Sequence, residues 1–295
     1  MTVMEALQWA NEKLKHDAIG DSPMLDAQVL LAHAMEVSKS WLFTHLGEPL
    51  RAPQEDAFRK LIERRAAHEP VAYMVGEREF YGRPFTVNRF VLIPRPATET
   101  LVEAALPLST DALFADIGTG SGAIAVTLAA ESGTPVIATD YSREAITVAK
   151  LNAERNGVAD LVDVRQGDLL DPLIKLFEKI TKPGAPLPYK RLVICANLPY
   201  LTQAQWEAAD RDVKDFEPKT ALVGGGPDGL ELYWKLFRQL SRARQNFPRK
   251  LTVLVEIDPD QTNRITALIT HDFPGSTPRV LKDLEGFDRV VIADI

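Results

Sequence analysis

The sequence predicts an α/β fold: a doubly wound parallel sheet behind a small all-helical domain. Three observations carry this. From residue 111 onward, short apolar runs alternate with amphipathic stretches, as expected for strands covered by helices on both faces. The first of those runs leads into a glycine-rich turn that opens a helix, Asp116-Ile-Gly118-Thr119-Gly120-Ser121-Gly122. Up to about residue 70 the punctuation is helical only.

In the first stretch, Ser22-Pro23 reads as an N-cap and first-turn proline ahead of MLDAQVLLAHAM. Pro53 opens QEDAFRKLIERRAA, where Phe58, Leu61 and Ile62 share one face and charges fill the other. Residues 1–72 are expected to form a helical bundle. The texture then changes to REFYGRPFTVN, with aromatic and β-branched residues flanking Gly82-Arg83, which predicts a hairpin and makes residues 73–95 a linker. Residues 96–295 form the α/β domain. Its strands are expected at 113–118, 135–140, 161–166, 192–197 and 251–257, and its helices at about 122–131, 142–156, 229–246 and 260–271. The runs PRVLKDL and DRVVIADI read as a hairpin closing one sheet edge, which brings the sheet to seven strands. ITKPGAPLPYK (180–190) reads as a surface loop without chemistry.

Composition narrows the class. The 295 residues are 45% hydrophobic and 25% charged, ordinary for a globular chain. The lone cysteine, Cys195, rules out an intrachain disulfide and a cysteine-rich zinc site, so a reducing compartment fits and no metal is expected. No apolar run reaches membrane-spanning length, and MTVMEALQWANEKLKHD carries charges where a signal peptide needs an apolar stretch. A soluble cytoplasmic protein is expected, with no membrane contact. Lys and Arg number 34 against 41 Asp and Glu, a net charge of −7, and residues 1–72 alone hold 8 against 11. Neither part is a basic arm, which argues against direct nucleic-acid binding.

The glycine turn is the first chemical signal. Small residues let a ligand approach the backbone, and the helix N-terminus favours polar or anionic groups. Asp140 ends the next strand, 22 residues after Gly118, where a carboxylate accepts from both ribose hydroxyls. Together they imply an adenosine-type cofactor. Gly118-x-Gly120-x-x-Ala123 also satisfies the dinucleotide fingerprint, so a dehydrogenase is a rival reading. Asp116 tilts the choice toward S-adenosylmethionine, because a carboxylate there attracts a sulfonium and an ammonium and repels a pyrophosphate. After the third strand, Gln166-Gly167-Asp168-Leu169 would place Asp168 near the adenine amino group.

The second signal is Asn197-Leu198-Pro199-Tyr200, at the end of the fourth strand. Ligands of such sheets sit outside the carboxyl ends of strands. The Asn197 side-chain oxygen and the Leu198 carbonyl can each accept one N–H of a planar NH₂ group, while Tyr200 packs against its plane. Such a clamp aims the nitrogen lone pair of a poor nucleophile at a methyl donor, so rate enhancement comes from positioning and electrostatics. Histidines 16, 33, 45, 68 and 271 fall outside the strand ends and read as structural or surface residues.

Taken in order, the helical N-terminal part, the hairpin, Phe90-Val-Leu-Ile-Pro-Arg-Pro-Ala-Thr-Glu99, the glycine loop, Asn197-x-Pro-Tyr200, Phe216-Glu-Pro-x-x-Ala-Leu222 and the ending Asp288-Arg-Val-Val resemble the peptide chain release factor glutamine N5-methyltransferases. The resemblance implies the class I S-adenosylmethionine-dependent methyltransferase fold. It also implies methyl transfer from S-adenosylmethionine to a glutamine in the GGQ loop of release factors, with S-adenosylhomocysteine as product. By it, Asp116, Gly118 to Gly122, Asp140, Asp168, Leu169 and Asn197 bind the cofactor, Asn197 to Tyr200 hold the glutamine, and Asn197, Pro199 and Tyr200 are the catalytic set. Arg95 and Glu99 are left outside that set, and Glu256 reads as a helix N-terminal acid. Release factors are the expected partners of a monomer.

Two positions depart from the family pattern. Leu198 stands where the family usually has the first proline of Asn-Pro-Pro-Tyr, and Ala97 stands where it has an acidic or polar residue. Leucine still supplies the carbonyl, and Pro199 still holds it extended. Related enzymes methylate a glutamine of a large-subunit ribosomal protein, and Asn-Leu-Pro-Tyr is also a spelling found in adenine N6 methyltransferases of RNA. The acidic charge and the leading helical domain disfavour the RNA substrate. A dehydrogenase has no use for the clamp, and a pure binding module would leave it idle.

Overall fold

The computed structural model describes residues 1–16, 22–180 and 189–295. The expected loop at 180–190 lies, over 181–188, outside the described residues. The chain forms two compact units: Met1–Glu77 together with Asp210–Phe216, and Arg78–Ala209 together with Glu217–Ile295.

The first unit is helical: α1 (Val3–His16), α2 (Pro23–Met35), α3 (Lys39–Thr44), α4 (Ala52–Ala66) and α5 (Val71–Val75). Pro23 sits in the first turn of α2, but the Ser22 side chain makes no capping bond, so the proline's fixed φ sets that terminus. Phe58, Leu61 and Ile62 of α4 are buried against Leu7, Leu30 and Leu31. The α4 residue Arg65 is 4% exposed. It donates from Nε to Asp26 Oδ2 and from a terminal nitrogen to Asp212 Oδ2, both at 2.7 Å. Asp212 lies on the short helix Arg211–Lys214, so Asp210–Phe216 belongs to the helical unit although the sequence reading runs 96–295 without a break. That excursion leaves no trace in local pattern because a long-range ion pair creates it.

The second unit begins within β1 (Glu77–Phe80), which forms a hairpin with β2 (Arg83–Thr86). Its turn is at Tyr81-Gly82, one residue before the expected position, and both residues have positive φ, as the right-handed strand twist requires. Phe80 and Phe85 are buried in the core on one side of the main sheet, so the hairpin is part of this unit and more than a linker.

The main sheet contains β3 (Ala112–Ile117), β4 (Val136–Asp140), β5 (Val162–Gln166), β6 (Arg191–Ala196), β7 (Lys250–Glu256), β8 (Arg279–Lys282) and β9 (Asp288–Asp294). Their order is β5-β4-β3-β6-β7-β9-β8. Strands β3 to β7 are parallel, and β9 is antiparallel to both β7 and β8. This is the expected doubly wound seven-stranded sheet with an edge hairpin. Cores lie on both faces, one around Ile194, Phe237 and Val253, the other around Phe114, Val126 and Leu254. The strand order reverses between β3 and β6, the switch point at which such sheets bind ligands.

Around the sheet, Ala123–Ser132, Arg143–Arg155, Glu231–Ala243 and Thr262–Asp272 are the expected helices, shifted by one to three residues at their ends. Helices Glu99–Ala105 and Asp171–Ile180 were not expected. The second opens on Asp171-Pro172 and buries Leu173 and Phe177, four residues apart on one face, a pattern too short to stand out.

Candidate active site

Register places the two motifs side by side. Asp116 pairs with Cys195 and Ile117 with Ala196, so the residues that follow, Gly118 and Asn197, leave neighbouring strands together. Between them lies a cavity of about 380 Å³, within the range of roughly 300–1,000 Å³ typical of small-molecule sites.

Ten of the expected site residues line this cavity: Gly118, Thr119, Gly120, Ser121, Asp140, Asp168, Leu169, Asn197, Leu198 and Pro199. Gly118 has φ +77, and a Cβ there would lie 2.9 Å from Leu198 Cδ2, so only glycine keeps this wall open. Asp140 Oδ2 accepts the Gly120 N–H at 2.8 Å and Oδ1 accepts the Ser142 N–H at 2.9 Å. Each carboxylate oxygen keeps a further lone pair for a hydroxyl. Burial raises the Asp140 pKa, with the Ser142 and Gly120 N–H groups opposing. Open glycine backbone, a carboxylate beside it and the helix start at Ala123 together suit an adenosyl ligand with a ribose diol.

Three expected residues are not in the wall. Asp116 is fully buried beneath the loop, where Oδ2 accepts from the Thr119 hydroxyl at 2.6 Å and the Ala125 N–H at 3.2 Å. Its other oxygen, Oδ1, has no hydrogen-bond partner, and burial pushes its pKa up to about 7. The side chain therefore shapes the loop instead of facing the cavity. Gly122 (φ +82) packs against Ala149, with a Cβ there only 3.2 Å from Ala149 Cα, so helix packing accounts for it. Tyr200 is not among the cavity-lining residues and packs, partly buried, against the core around Leu198 and Tyr233. Burial and the nearby Glu256 hold its phenol well above the usual range, and its carbonyl accepts from Gln261 Nε2 at 2.8 Å.

Asp168 lines the cavity, but its carboxylate pairs with Lys235, so an adenine amino group would share that acceptor with a cation. None of the five histidines lines the cavity: His45 stacks on Trp41 with ring centroids 4.0 Å apart, and His68 bonds Asp212 at 3.0 Å.

Sequence reasoning missed other wall residues, notably Phe90, Thr98, Tyr141 and Lys235. The resemblance implies that the stretch 93–99 packs beside the cofactor, without naming Thr98, and the cavity is lined by Arg95 and Thr98 of that stretch. Glu217, 5% exposed, joins it to Phe216-Glu-Pro by accepting the Ile93 N–H at 3.1 Å and pairing with Arg95. Glu99 accepts the Tyr81 N–H at 2.9 Å and so holds the hairpin turn. Leu198 has a specific environment: its N–H donates to the Tyr233 hydroxyl at 3.2 Å, a bond a proline could not make. No contact in the structure explains Ala97.

Glu256 is not a helix N-terminal acid. It is the last residue of β7 and 1% exposed, while the capping role falls to Asp258, whose Oδ1 accepts the Asp260 N–H at 3.0 Å. Burial pushes the Glu256 pKa up to about 7, opposed by hydrogen bonds from Thr98 and Asn197 and by the positive charges of Arg289 and Arg95.

Comparison with known proteins fits this geometry. Residues 5–76 match the family model described as PrmC N-terminal domain, and residues 95–182 match the methyltransferase small domain. The chain is 35% identical over 302 residues to the release factor glutamine methyltransferase of Bacillus anthracis, each covered completely. It is 36% identical over 300 residues to that of Bacillus subtilis, covering 99% of this chain and 97% of the relative. The chain belongs to the release factor glutamine methyltransferase family. A third member, from Cereibacter sphaeroides, is 37% identical over 297 residues, with 99% and 98% covered. The family's α/β fold also extends to a structure described as the hMettl16 catalytic domain in complex with an RNA hairpin. That structure has a TM-score of 0.54 at 18% identity and covers 77% of this chain and 80% of its own.

Proposed function

We propose that this protein methylates the side-chain amide nitrogen of a glutamine in a peptide chain release factor. The enzyme is an S-adenosylmethionine-dependent methyltransferase, and the family to which the chain belongs carries that activity in its name. The observation that carries the reading is the placement of Asn197, Leu198 and Pro199 in the same cavity wall as the glycine loop and Asp140.

When bound, S-adenosylmethionine supplies an electrophilic sulfonium methyl and leaves as S-adenosylhomocysteine, while the amide nitrogen gains the methyl and loses one proton to water. Gly118 to Ser121 and Asp140 hold the adenosyl portion. Asn197 and the Leu198 carbonyl accept the two amide N–H bonds, which directs the lone pair at the methyl. Pro199 keeps residue 198 extended, and the Leu198 carbonyl, which accepts from the Tyr233 hydroxyl at 3.3 Å, keeps a second lone pair for the substrate. Asp116 and Tyr200 support this arrangement from behind, the first through Thr119, the second through its buried ring.

A four-residue clamp cannot choose one protein, so recognition of the release factor is assigned to the helical unit. The net charge of −7 supports a protein partner over a nucleic acid. No helix among the described residues is long and apolar enough to cross a membrane, and action on a translation factor supports our reading of a cytoplasmic enzyme, which we take to act as a monomer. The test is transfer of radiolabelled methyl to purified release factor and to its GGQ-loop glutamine-to-alanine variant. Label is expected on the first only, and equal label on both overturns the assignment. Asn197→Ala is expected to reduce transfer at least about 100-fold, as for removal of a group that stabilises only the transition state, with cofactor affinity changed by less than about tenfold.

A further inference from the structure

An asparagine amide has two ends of nearly the same shape and opposite function: the oxygen accepts and the NH₂ donates. A clamp for a substrate NH₂ works only with the oxygen turned toward it. If Asn197 were flipped, two NH₂ groups would face each other. Something in the protein must set the orientation, and nothing in the Asn-Leu-Pro-Tyr motif does so.

We propose that Thr98 and Glu256 are positioning residues that lock the Asn197 amide with its NH₂ turned into the protein and its oxygen toward the cavity. The Asn197 Nδ2 donates to Thr98 Oγ1 at 3.1 Å. Thr98 is 5% exposed, and the pairing of Ala196 with Val255 sets Glu256 beside Asn197, where hydrogen bonding by Thr98 and Asn197 opposes the burial that raises the Glu256 pKa. With the Thr98 oxygen as the acceptor of the Asn197 Nδ2–H, the amide is held with its NH₂ inward and its oxygen outward. Glu256, 1% exposed, is held from the other side by its own backbone carbonyl, which accepts from the Tyr233 hydroxyl, and by the positive field of Arg95 and Arg289. A buried carboxyl is costly unless it is used, and its second oxygen, Oε2, has no partner at all. The chain therefore runs from β7 through the Pro96–Thr98 turn to the residue after β6, three segments far apart in sequence.

This inference rests on the proposed reaction, and the experiment separates the two. Thr98→Val removes the hydroxyl at nearly constant shape, and Thr98→Ser restores it. Thr98→Val is expected to lower kcat roughly 10- to 100-fold, the usual cost of losing an outer partner that orients a reacting group. KM for S-adenosylmethionine should stay within about threefold, and Thr98→Ser should recover most of kcat. Glu256→Gln keeps an acceptor for Thr98 and should behave like Thr98→Ser, whereas Glu256→Met should behave like Thr98→Val. Independently of activity, the Asn197 side-chain NH₂ resonances, assigned by their loss in Asn197→Ser, should be protected from solvent exchange in the wild type and Thr98→Ser and exposed in Thr98→Val. Wild-type kcat or unchanged protection in Thr98→Val overturns the proposal. Absence of methyl transfer to release factor by the wild type overturns the reaction instead, and the exchange measurement still decides the orientation. If Glu256→Met does not fold, the Thr98 pair decides alone.

Discussion

Gly118 and Leu198 face each other across the strand ends so closely that a methyl group on Gly118 would lie 2.9 Å from Leu198 Cδ2. Gly118→Ala also forces an L-residue to φ +77, a left-handed conformation that costs roughly 1 kcal/mol. The substituted wall narrows where the cofactor loop meets the clamp. Affinity for S-adenosylhomocysteine, measured by calorimetry, is expected to fall at least about tenfold with the melting temperature only slightly lowered. Unchanged affinity would show that the loop does not contact the ligand.

The same leucine is tied to Tyr233. Its N–H donates to the Tyr233 hydroxyl, and that hydroxyl in turn bonds the Glu256 carbonyl. Tyr233→Phe leaves both groups buried and unpaired and should cost about 1–3 kcal/mol in denaturant unfolding. Leu198→Pro removes the donor as well. In a double-mutant cycle its added cost in the Tyr233→Phe background should be smaller than in the wild type, and strict additivity would rule out the coupling.

Stability should depend on pH in a defined sense. Burial holds the carboxyls of Asp116 and Glu256 at pKa values of about 7, above their ordinary 3.8 and 4.5. The folded chain thus binds these protons more tightly than the unfolded chain, so their contribution is complete below the unfolded pKa and lost as pH rises through the folded one. The cofactor-free protein is expected to melt at a lower temperature at pH 8 than at pH 5.5, with a weaker slope in Glu256→Gln. A melting temperature that rises across this window in calorimetry would contradict it.

In the helical unit, Arg65 joins Asp26 and Asp212. Arg65→Ala leaves two carboxylates without their cation and should destabilise by about 3 kcal/mol, near the lower end for buried pairs because both aspartates keep partial contact with water. Hydrogen exchange over residues 210–216 should accelerate more than elsewhere in that unit. Uniform acceleration would mean that the ion pair does not anchor the segment.

The sequence by itself was enough for the sheet, the helical N-terminal part and the two motifs, because each depends on short-range rules. Alternating apolar runs specify buried parallel strands, glycines specify a turn, and Asn-x-Pro-Tyr stands at a strand end. Tertiary structure decided what those residues touch. Asp116, Gly122 and Tyr200 read as wall residues from their motifs, yet Asp116 is buried under the loop, Gly122 packs against the helix at Ala149, and Tyr200 packs against the core. Glu256 read as a capping acid, yet parallel pairing of β6 and β7 sets it beside Asn197. Thr98 lies in a stretch that carries the resemblance, but its contact with Asn197 spans 99 positions and exists only in the folded chain. The Asp168–Lys235 and Arg65–Asp212 pairs span 67 and 147 positions. No local pattern encodes such contacts, because the geometry that makes them favourable arises only when the chain has folded.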